Sequence, residues 1–252
     1  MIEITNLTKK YNSEKTALDN ISFKIDSGEI CGYIGTNGAG KTTTIKILSG
    51  MLDFDSGVVK VAGIDVKNNP LEVKKITGYV PESANIFNSL STTEFLKFIS
   101  KIRNINEKVS ERRIGYFAEL FDFTGFLNSS IGNLSKGTKQ KILITSALLH
   151  NPEIIFLDEP LNGLDANAII IFQETIKTLS EKGKTVFYCS HLLDMIEKIS
   201  TKLIIIDTGK IKLDSETSAL RNTDNYAGLE NLFKNMKRDK EYKKFVYEDI
   251  FD

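Results

Sequence analysis

An α/β fold with a mostly parallel sheet, an antiparallel β layer on its N-terminal side and an inserted α-helical subdomain is predicted by three observations. Between Ile142 and Cys189 short apolar runs alternate with stretches of helical periodicity, the pattern of strands and crossover helices in a sheet covered on both faces. Near the N-terminus, Met1 to Ile4 and Ile21 to Ile25 alternate with period 2, as half-buried strands do. From about Phe87 to Gln140 the strand signals vanish and helical spacing takes over. Division follows these changes: a core of residues 1–86 and 141–214, a helical subdomain of 87–140, and a C-terminal extension of 215–252.

Taken in order, Ser27-Gly28 turns the chain from the second N-terminal strand into Ile30 to Ile34, a short apolar strand. Lys41 to Leu48 reads as a helix ending at Ser49-Gly50. Asp55-Ser56-Gly57 leads into a strand at Val58 to Val61, and Ile76 to Val80 gives another that stops at Pro81. Ser91-Thr92-Thr93-Glu94 is a capping box before Phe95, Leu96, Phe98 and Ile99. Ile114, Phe117, Leu120 and Phe121 mark a second helix of the insertion, and Ile142 to Leu149 a helix that returns to the core. Ile154 to Leu157 is a wholly apolar strand, Ala166 to Lys182 an amphipathic helix closed by Gly183, and Thr185 to Cys189 a further strand. Leu203 to Ile206 and Ile211 to Leu213, joined by Thr208-Gly209, form a terminal hairpin. Beyond Asp214 the polar, Lys-rich chain reads as a solvated helix or tail, a specific binding arm being the alternative.

Composition bounds the function. Lys+Arg and Asp+Glu balance at 33 each, so the global charge points to neither nucleic acid nor another polyanion. No window approaches the roughly 18 consecutive apolar residues of a membrane span, and the first residues lack the apolar segment of a secretion signal. The expectation is a soluble, cytoplasmic chain. Cys31 and Cys189 fall in interior strands, where free cysteine acts as a small hydrophobe, so neither a disulfide nor a metal site is expected.

The chemistry is concentrated in Gly35-Thr36-Asn37-Gly38-Ala39-Gly40-Lys41-Thr42, which fits G-x-x-x-x-G-K-[ST] at every fixed position between a strand and a helix. Glycines at 35, 38 and 40 let backbone N–H groups turn inward as an anion nest, and the helix start, with Thr43 in its first turn, adds partial positive charge. Lys41 then reaches the outer phosphates of a nucleotide, and the Thr42 hydroxyl takes a Mg²⁺ position. Ile154 to Leu157 delivers Asp158-Glu159 at its carboxyl end, in a parallel sheet the same edge as the phosphate loop. Asp158 is placed to hold Mg²⁺ through its water shell, and Glu159 to orient or deprotonate an attacking water.

With these motifs in place, residues 1 to about 214 resemble the nucleotide-binding subunit of an ABC (ATP-binding cassette) transporter, whose fold has a P-loop NTPase core. Leu134-Ser135-Lys136-Gly137-Thr138 resembles the family's LSGGQ signature, Leu161-Asn162-Gly163-Leu164-Asp165 its D-loop, His191 its switch histidine, and Tyr11 the aromatic that stacks on adenine. The resemblance implies binding of ATP with Mg²⁺, ATP hydrolysis, and head-to-tail pairing of two cassettes. Ser135, Gly137 and Asp165 of one cassette would then complete the nucleotide site of the other, while His191 senses the γ-phosphate. It further implies a separate integral membrane permease as partner and a peripheral location on the inner face of the membrane, with no nucleic acid partner.

Two departures stand out. Glu82 occupies the place of the family's usual Gln, which links the metal and the attacking water to the membrane subunit; Glu keeps an acceptor but loses an amide donor. Lys136 and Thr138 stand where Gly and Gln are usual. Both changes resemble cassettes of ABC-2-type exporters of drugs, peptides or polysaccharides. A single-cassette ATPase serving an iron–sulfur assembly or another cytosolic complex is the alternative.

Overall fold

A computed structural model describes residues 1–12, 15–83, 87–223 and 226–236. Its N-terminal layer is an antiparallel sheet of four strands, β1 (Ile2–Lys10), β2 (Thr16–Ile25), β4 (Ser56–Val61) and β5 (Ile64–Asp65), ordered β2-β1-β4-β5. Ile2 pairs with Ile25 on one side and Val61 on the other, and all three are buried. The strand β1 runs well beyond the Met1 to Ile4 of the sequence reading. Asn6, at φ 49°, shifts the register between Ile4 and Leu7; such an irregularity resets the alternation by which a strand is recognised.

The second sheet has the order β10-β9-β3-β8-β7-β6. Its parallel part is β3 (Ile30–Gly35), β6 (Thr77–Val80), β7 (Ile154–Asp158), β8 (Thr185–Cys189) and β9 (Lys202–Asp207). The edge strand β10 (Lys210–Glu216) joins β9 antiparallel, making the hairpin expected at the end of the core. Every residue of β3, β7 and β8 is buried, because both faces are covered. Ile155, Leu157, Val186 and Tyr188 point into one core, and Ile154, Phe156, Phe187 and Cys189 into the other. On the second face Phe23, Tyr33 and Phe187 bring their rings within 4.8 to 6.2 Å of one another. A fully buried side chain of this size stabilises by about 1.5–3 kcal/mol, which ties the N-terminal layer to the parallel sheet. Cys31 and Cys189 are free and wholly buried in this core.

The helix α1 (Lys41–Leu48) follows β3 and has the predicted limits. A short helix, α2 (Pro70–Ile76), was not expected; it buries only Val73, too little for a periodic signal, and it takes Ile76 out of the strand read there. In the helical segment, α3 (Thr92–Ile102) starts at the predicted capping box, the Ser91 hydroxyl accepting from the Glu94 N–H while Glu94 accepts from the Ser91 N–H. Next comes α4 (Glu107–Leu120), which buries Ile114 and is followed by the buried Phe121. The returning helix α5 (Lys136–Leu148) starts six residues earlier than its apolar stretch, capped by Ser135, whose hydroxyl accepts from the Thr138 N–H.

The helices α6 (Ala166–Glu181) and α7 (Leu193–Ile199) cover the face shared with α5; α7 is another short element without a sequence signal. After β10, α8 (Thr217–Arg221) and α9 (Leu229–Met236) follow. The solvated reading of this region is corrected at least to Phe233, for Leu220 and Leu229 are buried and Leu232 and Phe233 pack against the same core. Glu197 on α7 fastens it, accepting from the Tyr226 hydroxyl at 2.9 Å and the Leu229 N–H at 2.9 Å. The Lys-rich run from Lys237 onward lies outside the described residues. Among the described residues no helix is long and apolar enough to cross a membrane.

Candidate active site

The phosphate loop is shaped by what its glycines touch. Gly35 ends β3 against β9 so closely that a Cβ would stand 2.4 Å from the Ile206 carbonyl oxygen. Gly40, at φ 113°, caps α1 in a backbone region that side chains disfavour, and a Cβ there would meet the Ala17 carbonyl oxygen at 2.7 Å. Lys41 is buried, its ammonium donating to the carbonyl oxygens of Gly35 at 2.9 Å and Thr36 at 3.1 Å. The cation thus lies folded back along its own loop.

Parallel pairing brings the carboxylates to this loop, since β7 and β3 flank β8 and all three end on the same side. Asp158 is 1% exposed and its Oδ2 has no hydrogen-bond partner. Burial pushes its carboxyl up to about 6; a hydrogen bond from Thr42 opposes this, and the charges of Glu82 and Glu159 add to it. Glu159 sits at φ 49°, an unusual backbone for a branched-chain-free but bulky residue, and its N–H donates to the Cys189 carbonyl at 2.9 Å. Its carboxylate is held at both oxygens: the Ser190 hydroxyl donates to Oε2 at 2.9 Å, and His191 Nδ1 lies 2.9 Å from Oε1. Ser190 is buried, whereas the His191 side chain is 62% exposed.

A cleft of about 460 Å³ collects most of the site read from the sequence: Tyr11, Asn37, Gly38, Gly40, Lys41, Thr42, Thr43, Glu82, Asp158 and Glu159 all line it. Tyr11 is half exposed, and its hydroxyl is 3.2 Å from the Thr43 hydroxyl. The ammonium groups of Lys9 and Lys15 lie 5.9 and 6.0 Å from its ring centre. Three loop residues stand behind the lining. Gly35 packs on β9, the Thr36 hydroxyl donates to Asp207, and Ala39 buries its methyl group while its N–H donates to the Thr36 carbonyl.

Ser135, Gly137 and Asp165 are not in the cleft lining. They share a second surface, where the start of α5 meets the loop leading into α6. A Cβ on Gly137 would lie 2.4 Å from the Gly163 carbonyl oxygen, and the aliphatic stem of Lys136 runs beside Gly163. The Gln140 amide donates to the Pro160 carbonyl at 2.9 Å. Asp165 caps α6 by accepting from the Ala168 N–H, and its other oxygen pairs with Lys141 at 3.2 Å. Thr138 spends its hydroxyl on Ser135, 2.8 Å away. Sequence reasoning missed Lys15, Thr16 and Ala17 in the cleft lining and Ser190 beside Glu159; none of them belongs to a pattern that marks phosphate or carboxylate chemistry.

The donor set suits a hard divalent cation. Thr42 supplies a hydroxyl, Asp158 a buried carboxylate with one unpartnered oxygen, and Glu82 a second carboxylate across the cleft. In proteins generally, Mg²⁺ takes one or two carboxylates and leaves its remaining positions to water and phosphate. Among the described residues no cluster of three His, Cys, Asp or Glu could hold a metal by itself.

Comparison with known proteins agrees with this geometry. A family model described as ABC transporter matches residues 18–162. The ABC transporter ATP-binding protein NatA of Bacillus subtilis is 30% identical over 92% of this chain and 96% of its own length. The bacitracin transport ATP-binding protein BcrA of Bacillus licheniformis is 35% identical over 84% of this chain and 68% of its own. A solved structure, the ATP-binding subunit of an ABC transporter, superposes with a TM-score of 0.88 at 28% identity, covering 94% of this chain and 99% of that one. The chain belongs to the ABC transporter family, as one of its ATP-binding cassettes.

Proposed function

We propose that this ATPase is the motor subunit of an exporter: two cassettes close on ATP, and hydrolysis lets them part, driving a separate membrane permease at the inner face of the membrane. The observation that carries this reading is the division of the site between two surfaces. The cleft holds Lys41, Thr42, Asp158 and Glu159, while Ser135, Gly137 and Asp165 lie on the other surface. A second cassette, turned head to tail, offers that second surface to the cleft of the first. BcrA, named for bacitracin transport, supports export of drugs or peptides as the class of work.

In this reading Lys41 moves its ammonium from the carbonyl oxygens of Gly35 and Thr36 to the phosphates, and the N–H groups of Gly38, Gly40 and the first turn of α1 surround the same anion. Tyr11 offers a flat face to the base. Thr42, Asp158 and Glu82 hold Mg²⁺, which when bound neutralises phosphate charge. Glu159 accepts a proton from the attacking water, and His191 aligns Glu159 from the solvent side. Glu82, on the loop after β6, lines the cleft and precedes in sequence the helical segment that in this reading faces the permease.

Two measurements test the proposal. Glu159→Gln keeps the acceptor for Ser190 but loses the base, so ATP binding persists, turnover falls at least about a hundredfold, and the Mg-ATP dimer accumulates in size-exclusion chromatography. Turnover near the parent rate would remove Glu159 from this role. Second, the tagged chain extracted from source membranes in mild detergent co-purifies with a stoichiometric multispanning protein; recovery with soluble assembly proteins alone would overturn the permease partnership.

A further inference from the structure

We propose that Ser190 is a positioning residue for hydrolysis, anchoring Glu159 through Oε2 so that Oε1 is the oxygen that takes the proton. The two contacts on the carboxylate differ in kind. Ser190 is 1% exposed and sits at the end of β8, whose Cys189 pairs with Asp158 and accepts the Glu159 N–H. Its hydroxyl hydrogen goes to Oε2 at 2.9 Å and its oxygen accepts the Leu192 N–H at 3.1 Å, so it is fixed from both sides. The imidazole on Oε1 is 62% exposed and reaches the carboxylate from the solvent side. One oxygen of Glu159 is therefore held by the interior of the sheet, and the other is met from the solvent side.

The anchor matters because of the backbone beneath it. Glu159 lies in the left-handed region, a costly conformation for a residue of this size that the surrounding contacts have to hold. Without the hydroxyl, the carboxylate keeps only the contact to the exposed His191 and is free to present either oxygen. With it, a water facing Oε1 meets a fixed acceptor. The oxygen of that water bonds to the terminal phosphorus as the bond to the departing diphosphate oxygen breaks, and its proton passes to Oε1. Positioning of this sort is worth about ten- to a hundredfold in rate.

This inference rests on Glu159 acting as the base, so the test includes Glu159→Gln beside Ser190→Ala, Ser190→Thr and the double variant Ser190→Ala/Glu159→Gln, each measured as the full chain with Mg-ATP. In Ser190→Ala kcat falls about ten- to a hundredfold while KM stays within about twofold. Ser190→Thr, which keeps a hydroxyl, recovers most of the loss, and the double variant turns over no more slowly than Glu159→Gln. Amide hydrogen exchange at residues 192–199 separates a structural role, because the same hydroxyl accepts from Leu192. Parent-like turnover in Ser190→Ala with a silent Glu159→Gln would overturn the anchor and leave the base; an active Glu159→Gln would overturn the base itself. A Ser190→Thr variant with parent-like exchange but no recovered turnover would also overturn the anchor.

Discussion

Gly137 approaches Gly163 so closely that a methyl group on it would stand 2.4 Å from the Gly163 carbonyl oxygen. The start of α5 and the loop before α6 therefore form one rigid surface, braced by Gln140 on Pro160 and by Lys141 on Asp165. Alanine at 137 would by itself favour the helix, but a backbone oxygen cannot yield as a side-chain tip can. Gly137→Ala is expected to destabilise the chain by about 1–3 kcal/mol in urea unfolding. Nucleotide affinity of the isolated chain should hold, since Gly137 is not in the cleft lining.

Lys41 is the second test. Removing its ammonium takes a cation from the cleft and also strips two carbonyl oxygens, Gly35 and Thr36, of their donor. Lys41→Ala should weaken ATP binding roughly tenfold or more, as loss of a charged hydrogen bond of about 1.5–3 kcal/mol implies. Titration calorimetry reads this directly, and an unchanged Kd would place the phosphates elsewhere.

Tyr11 separates stacking from hydrogen bonding. Its hydroxyl meets Thr43 while its half-exposed ring borders the cleft between two lysines. Tyr11→Ala should raise the Kd for ATP about tenfold, because stacking on a base is worth about 1–3 kcal/mol. Tyr11→Phe keeps the flat face and should stay within about threefold. Equal losses in both would make the hydroxyl, not the ring, the important part.

His150 governs a pH response far from the cleft. Its Nε2–H donates to the Thr77 carbonyl at 3.0 Å, while Nδ1 is buried without a partner. Burial first, then the nearby Arg103, Arg113 and Lys184, depress its pKa from 6.5 to about 4. The unfolded chain therefore takes up a proton at higher pH than the folded one. The stability that His150 supports is complete above about pH 6.5 and is lost progressively as pH falls toward 4. His150→Gln, with no proton to gain, should flatten the melting temperature across that window; an unchanged slope would locate the response in another group.

What could be read in the sequence was local and strongly patterned. The limits of α1 and of β8, the Ser91–Glu94 capping box, and the carboxylates at the end of β7 follow from motif or periodicity alone. The short helices α2 and α7 bury one and two residues and so leave no period to detect. The left-handed Asn6 hid half of β1 behind a register shift. Ser190 was invisible for a different reason: its partner lies across a strand pairing that no local pattern encodes. Of the motif residues, Gly35, Thr36 and Ala39 stand behind the cleft lining, where they pack the loop against its neighbours.

The strand order has a consequence for how the molecule is made. On both sides β3 pairs with strands that come much later in the sequence, β8 and β9. During synthesis the phosphate loop emerges well before its partner strands, and its strand waits with two open edges until residues 185–207 leave the ribosome. For that interval an apolar, doubly unpaired strand is open to pairing with any neighbouring chain, and aggregation competes with folding. Translation speed through the helical segment sets how long the interval lasts.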